Sequence, residues 1–344
     1  MQGQMITRGD MIKVKFSSPS KWPFFRQTPG CKGIWGDCQF IMGDEDQDYD
    51  YWFVHEGTVG VERANCPREN VFFITGEPPG RRTYNPFFLS QFERVVSHQP
   101  MILHNNVTHW QPGLPWMVGA RYLKKQRRWS EEFTKDYDEL KALNSIYKDK
   151  TISVITSNKY SAKGHRLRLD FVRRLDRTLG SEIDTFITSE VDLEDKWDAI
   201  ARYKYHVVIE NDICPDFWTE KIADPLLGLS LPLYYGCPNI SRYFPVGSNI
   251  PIDINRPDKA IVEIQRIVSE DRYQDHLPSL MEAKGLVLDK YNLFAMMASF
   301  CSKDEKKREN VVLKPEWRIP RNIKPTDLMK KAVKKCVTLT GINK

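Results

Sequence analysis

The sequence predicts a two-domain α/β protein, and three observations carry that prediction. Short apolar strand patterns alternate with helical patterns along most of the chain, the signature of βαβ units. A highly charged connection, residues 124–150, interrupts the alternation, and a new strand pattern starts directly after it. The chain has 344 residues, enough for two domains of ordinary size, and is 41% hydrophobic and 28% charged, the composition of a globular protein.

In the first half, residues 11–16 and 51–54 read as strands. The aromatic, Gly- and Pro-rich region between them, with Trp22, Phe24, Phe25 and Trp35, fits an extended loop at a binding site or ordinary irregular core equally well. Asp44, Asp46, Asp48 and Asp50 alternate, which offers an Asp-x-Asp spacing for a divalent metal; a solvated loop is the commoner fate of such a run. It is no EF-hand, since neither register supplies the required Gly and Glu. Residues 71–75 form a buried strand that ends in Gly76-Glu77-Pro78-Pro79-Gly80, a carboxylate on a turn just past a strand end. The following YNPFFLSQFERVVS reads as a helix packed on the sheet, and residues 131–143 have helical spacing. His98, His104 and His109 are too irregularly spaced for a metal site and suit structural or ligand contacts.

The second half opens with a strand at residues 151–156, then Ser157-Asn158, a loop and an amphipathic helix over residues 166–179. Residues 205–209 are a buried strand, Pro215 and Asp216 punctuate a loop, and Thr219 caps a helix running to about residue 229. Residues 231–235 form the next strand, stopped by Gly236 and Pro238. This is one βαβ unit whose polar residues gather at the carboxyl end of a strand and at a helix start, where open α/β sheets bind ligands and phosphates. A short strand at residues 250–254, a helix at residues 257–269 and another at residues 277–293 follow.

Residues 204–238 carry more than a pattern. YKYHVVIEN, then FWTEK, then PLYYGCP, resembles the donor-binding signature of the glycosyltransferase family 10 fucosyltransferases. The likeness is close over about 35 residues and looser over most of residues 70–260. It implies a GT-B architecture, two Rossmann-like α/β domains facing across a cleft. Residues 1–145 would bind the acceptor, 146–300 the GDP-sugar, and 301–344 would form a helical, basic tail. The activity implied is inverting transfer of L-fucose from GDP-L-fucose to a glycan hydroxyl, with no cofactor or metal.

The resemblance also implies roles. Glu77 would be the general base. Arg168, counted back from Phe171, would contact the diphosphate together with Lys221, with Arg166 as the fallback register. Glu220 would bind the ribose hydroxyls, Asn211 the phosphate or sugar, and Glu210 would shape the site. Phe217 stands where the family usually has Tyr, so one donor contact is missing and strict GDP-fucose specificity is left open. Two alternatives remain: another nucleotide-sugar transferase, metal-dependent through residues 44–50, and a non-catalytic glycan-binding homologue.

Composition sets the remaining expectations. Fifty-one basic against 45 acidic residues give a mild +6, the basic residues are scattered, and no nucleic-acid-binding motif is present, so the expected partners are a nucleotide sugar and an oligosaccharide or glycoconjugate acceptor. No apolar stretch is long enough to span a membrane, and residues 1–10 lack a signal-peptide core. Secretory relatives carry an N-terminal anchor, so the reading is a cytoplasmic form of bacterial or viral type. Seven dispersed cysteines fit a reducing compartment. The basic amphipathic stretch at residues 327–337 suits peripheral contact with anionic lipid or, more commonly, packing across a domain.

Overall fold

The computed structural model describes residues 11–43, 47–158, 163–304 and 306–319. Two parallel sheets organise it. The first contains β1 (Ile12–Ser17), β2 (Ile34–Trp35), β3 (Cys38–Ile41), β4 (Tyr51–His55), β6 (Val71–Ile74), β7 (Arg94–Ser97) and β8 (Val107–His109), in the order β2-β3-β1-β4-β6-β7-β8. All of its pairs are parallel except β2 with β3. Strand β5 (Glu62–Cys66) stands outside it. A hairpin, β9 (Ala120–Leu123) and β10 (Arg128–Phe133), leads to the second sheet. That sheet contains β11 (Lys150–Thr156), β12 (Ile183–Ile187), β13 (Tyr203–Ile209), β14 (Leu231–Tyr235) and β15 (Ile250–Pro251) in the order β12-β11-β13-β14-β15, all parallel.

The central strands β4, β6 and β7 split their side chains between two cores, as the period of two requires. Along β4, Tyr51 and Phe53 face one cluster with Val14, Phe16 and Ile74; Trp52 and Val54 face the other with Phe73, Phe88 and Phe92. Helix α1 (Pro86–Leu89) is a single turn capped by Asn85, whose side chain accepts from the Phe87 N–H. Around the second sheet lie α2 (Tyr137–Ala142), α3 (Lys163–Leu179), α4 (Glu220–Leu227), α5 (Pro257–Glu270) and α6 (Tyr273–Gly285). Helix α3 buries Leu169, Val172, Leu175 and Leu179 on the stripe that its 3.6-residue period provides.

The chain crosses back after α6. Helix α7 (Leu293–Ala298) inserts Leu293, Phe294, Met296 and Met297 into the first sheet's core. Strand β16 (Glu309–Leu313) then pairs antiparallel with β5. In the other direction Trp116, Val118, Tyr137 and Leu140, from the chain ahead of β11, pack into the second sheet's core.

Three expected elements differ. Residues 131–133 belong to hairpin strand β10, turned at Arg127 with φ 52, and helix starts only at Tyr137. The start is set by a capping box between Asp136 and Glu139, which satisfies two helix-end donors reciprocally. The long helix expected after Tyr84 is the one turn of α1, because Val95 and Val96 are drawn fully into the sheet as β7. The helix expected over residues 277–293 forms but is shifted: α6 starts earlier, at Tyr273, continues as a π-helical turn over Leu286–Lys290, and a separate helix, α7, capped by Asn292, begins at Leu293. Among the described residues no helix is long and apolar enough to cross a membrane. Asp44, Asp46 and the basic stretch 327–337 lie outside the described residues.

Candidate active site

The carboxyl ends of β11 and β13 open into a cleft of about 230 Å³. Its wall includes Ser157, Arg168, Lys196, Asn211, Glu220 and Lys221 from the second half, and Arg81 from the first. Two close approaches build it. A Cβ on Gly164 would sit 2.4 Å from the Asn211 carbonyl oxygen, so only glycine lets α3 start against the end of β13. A Cβ on Gly80 would meet the Asp212 carboxylate at 2.6 Å; as glycine, its N–H donates to that oxygen at 3.1 Å and joins the two halves beside the cleft.

Arg168 lies on the inner face of α3, 6% exposed. One Nη donates to the Asn211 side-chain oxygen and the other to Ser157 Oγ at 3.1 Å, while its Nε is buried without a partner. Burial pulls the guanidinium below its ordinary value, opposed by the fields of Glu210 and Glu220. Arg166, the other arginine of that helix turn, is exposed.

Glu210 is fully enclosed and faces α4, not the cleft wall. Its carboxylate accepts the Thr219 N–H at 2.9 Å and the Thr219 hydroxyl, and pairs with Lys221 at 3.5 Å. Burial pushes its pKa up. Thr219 in turn caps α4 by accepting the Lys221 N–H at 3.1 Å. Glu210 therefore sets where α4 begins and where Glu220 and Lys221 point. Burial would raise the Glu220 carboxyl, but Lys221 and Lys196 outweigh it and hold it at about 2. Lys196 Nζ lies 3.4 Å from Glu220 and 3.3 Å from Asp224. Asp224 is buried and accepts the Met117 and Val118 N–H groups at 2.7 and 3.1 Å.

On the opposite side, Glu77 stands on the turn after β6, half-buried. Glu56 holds that turn: its carboxylate accepts the N–H of Gly76 and of Glu77, the latter at 3.1 Å, and the Tyr84 hydroxyl, and it pairs with Arg82 at 2.8 Å. Glu56 has φ 67, a conformation that costs energy for a residue with a Cβ. The Glu77 carboxylate pairs with Arg81 at 2.9 Å. Burial raises its pKa, with Arg81, Lys221 and Arg82 opposing and Glu56 adding. Phe217 is buried away from the cleft wall, its ring 5.0 Å from that of His98. His98 is pushed down to about 4 by burial and so is neutral. His104 bonds the backbone of Asn106 and Phe92, a structural use.

The fold thus gathers Arg168, Asn211, Glu220 and Lys221 at one cleft, with Glu210 beneath and the Glu77 turn opposite. Lys196, Asp224, Glu56 and Arg81 complete the arrangement and had not been singled out from sequence. Only Arg81 carried a usable signal, as a cation four residues after a turn carboxylate. Among the described residues no group of three or more His, Cys, Asp or Glu is placed to hold a metal ion. Asp48 accepts from the Asn65 amide at 2.7 Å, and Asp50 pairs with Arg308.

Comparison with known proteins bears on this geometry. Residues 146–312 match the family model for the C-terminal part of glycosyltransferase family 10 (fucosyltransferase). Among curated proteins, GDP-fucose protein O-fucosyltransferase 3 of Danio rerio is 34% identical over 86 residues, 24% of this chain and 19% of the relative. Alpha-(1,3)-fucosyltransferase B of Drosophila melanogaster is 41% identical over 46 residues, 13% of this chain and 10% of the relative. The matched segments thus span a fifth or less of these relatives. A crystal structure of an α1,3-fucosyltransferase with GDP superposes with a TM-score of 0.50 at 14% identity, over 86% of this chain and 95% of that one. That likeness bears on the fold, and the fold is of the GT-B type.

Proposed function

Since residues 146–312 belong to glycosyltransferase family 10, we propose that the protein is an inverting, metal-independent fucosyltransferase that uses GDP-L-fucose. The observation that carries the reading is the convergence at one cleft of Arg168, with a buried unpartnered donor, and of Lys221 and Glu220 at a helix start, with a carboxylate turn reaching over from the other sheet. Arg168 and Lys221 are suited to bind the diphosphate and to offset the charge that grows on it as the anomeric carbon–oxygen bond breaks. Glu220 suits the ribose hydroxyls. Asn211 orients Arg168 and can itself meet the phosphate or sugar.

In the proposed step the acceptor oxygen attacks the anomeric carbon from the face opposite the diphosphate. Its proton passes to the Glu77 carboxylate, the new glycosidic bond forms, and the electron pair of the breaking bond leaves on GDP. Burial lifts Glu77 toward working pH, which strengthens it as a base. The acceptor we assign to the first half is a glycan hydroxyl. The matches to protein O-fucosyltransferase 3 favour a second reading, a hydroxyl on a protein. A cytoplasmic setting belongs to the same proposal, supported by the dispersed cysteines.

A thermal-shift panel of nucleotide sugars tests the donor, since a ligand at 100 times its dissociation constant stabilises by about 2.7 kcal/mol. GDP-L-fucose and GDP should raise the midpoint most, and UDP-sugars should not. A larger shift with UDP-sugars would overturn the donor assignment. Transfer assays with peptide and oligosaccharide acceptors separate the two acceptor readings.

A further inference from the structure

The charges that line the cleft do not leave much for a diphosphate. Lys196 and Lys221 lie 3.3–3.5 Å from Glu220 and Asp224 in the wall and from Glu210 beneath it, so two lysines stand among three largely buried carboxylates. Arg168, which faces the neutral groups Asn211 and Ser157, only restores the balance. The fourth cation in the wall is Arg81, and it reaches the cleft from the other half of the molecule. Its ion partner is Glu77, the carboxylate to which the reaction assigns the acceptor proton, at 2.9 Å.

We propose that Arg81 couples the donor to the base: without donor it masks the Glu77 carboxylate, and on arrival of the diphosphate its guanidinium turns into the cleft and leaves Glu77 free to take the acceptor's proton. The inference rests on the donor-cleft reading above. The structure makes the turn a side-chain movement alone. The backbone on either side is held, with the Gly80 N–H on Asp212 at 3.1 Å and the Arg81 and Arg82 N–H groups on the Pro78 carbonyl at 2.9 and 3.0 Å. The Arg81 side chain is 54% exposed, so its rotamers exchange freely. An ion pair this open to water is among the weakest, whereas an Arg–phosphate fork is among the strongest polar contacts. The exchange is therefore downhill once a diphosphate is present.

Glu77 also faces Glu56 from the end of β4, Arg82 from its own turn, Lys221 from α4, and the neutral His98 that follows β7. Lys221 and the diphosphate it binds act on Glu77 alike in wild type and in an Arg81 variant, so the difference in its proton affinity between the two proteins tracks Arg81. The consequence is an ordered reaction in which the base is unmasked only after the donor is in place.

Arg81→Gln tests this, with Arg168→Ala beside it. Arg81→Gln should weaken GDP about tenfold and guanosine hardly at all. The acid limb of kcat/KM, which reports the free enzyme, should move to higher pH, while the acid limb of kcat at saturating donor should stay in place. Glu77→Gln, which frees Arg81, should tighten GDP by up to about fivefold, the value of an exposed ion pair. The inference is overturned if Arg81→Gln leaves GDP affinity unchanged, or if both acid limbs move together, since Arg81 would then stay on Glu77 throughout. Unchanged GDP affinity in Arg168→Ala as well would instead overturn the donor-cleft reading. Circular dichroism confirms that each variant is folded.

Discussion

Replacing Arg168 by alanine should cripple diphosphate binding and leave nucleoside binding intact. Arg168 is buried and makes two side-chain hydrogen bonds to neutral partners, while its Nε has none. A hydrogen bond from a charged donor is worth roughly 1.5–3 kcal/mol, so losing the arginine's grip on GDP should cost about ten- to a hundredfold in affinity at 1.4 kcal/mol per decade. Guanosine has no phosphate and should bind both proteins alike. Turnover should fall further than GDP affinity, because negative charge grows on the leaving group in the transition state. The fold should tolerate the change, since no carboxylate loses an ion-pair partner and both hydrogen-bond partners can turn to water. Calorimetric titration of GDP and guanosine into wild type, Arg168→Ala and Arg166→Ala checks this, with thermal melts as the stability control. Arg166 is exposed and its removal should do little. Damage from Arg166→Ala alone, or from neither variant, would refute the reasoning.

Glu77→Gln should lower turnover about 10²–10⁴-fold, the usual worth of a general base, while GDP affinity stays within about fivefold of wild type; retention of more than about a tenth of the activity would remove Glu77 from that role. Turnover should persist in excess EDTA, because side chains supply the positive charge at the leaving group; loss that manganese restores would point back to the acidic run at residues 44–50. Glu220 should make the protein acid-sensitive. Its folded pKa of about 2 lies below the ordinary 4.5, so its contribution is present above 4.5 and is lost as the pH falls toward 2. Urea midpoints measured across that window should fall in wild type and much less in Glu220→Gln; parallel slopes would show that Glu220 is not the responsible group.

The fold was legible where an element obeys local rules. α4 starts and β14 ends where sequence places them, because Thr219 caps the helix and Gly236 follows the strand. It was illegible where tertiary contacts decide. YNPFFLSQFERVVS has helical composition, yet Val95 and Val96 are fully buried in a strand, since sheet pairing with β6 and β8 outweighs local preference. The pairing of β5 with β16 joins residues more than two hundred positions apart, and nothing in Glu309–Leu313 names its partner. The residues of α7 do not themselves say which core they join, because Leu293, Phe294, Met296 and Met297 would serve any core.

The candidate site divides along the same line. Residues that act from strand ends and helix starts, Arg168, Asn211, Glu220 and Lys221, sit in a local grammar that one βαβ unit and the turn before α3 can express. Lys196 has no such grammar. It lies in an ordinary charged stretch, and its importance comes only from where the chain carries it, against Glu220 and Asp224. Glu56 is hidden for a different reason. Its position after a strand looks like a surface turn, and only the folded chain shows it collecting the Gly76 and Glu77 N–H groups, Tyr84 and Arg82 at once. Both are positioning residues whose partners are the visible ones. Sequence motifs therefore mark the groups that would meet the donor, while the charges that set the Glu220 pKa and the clamp that aims the opposing carboxylate arise only when each half folds and brings distant stretches of its own chain together.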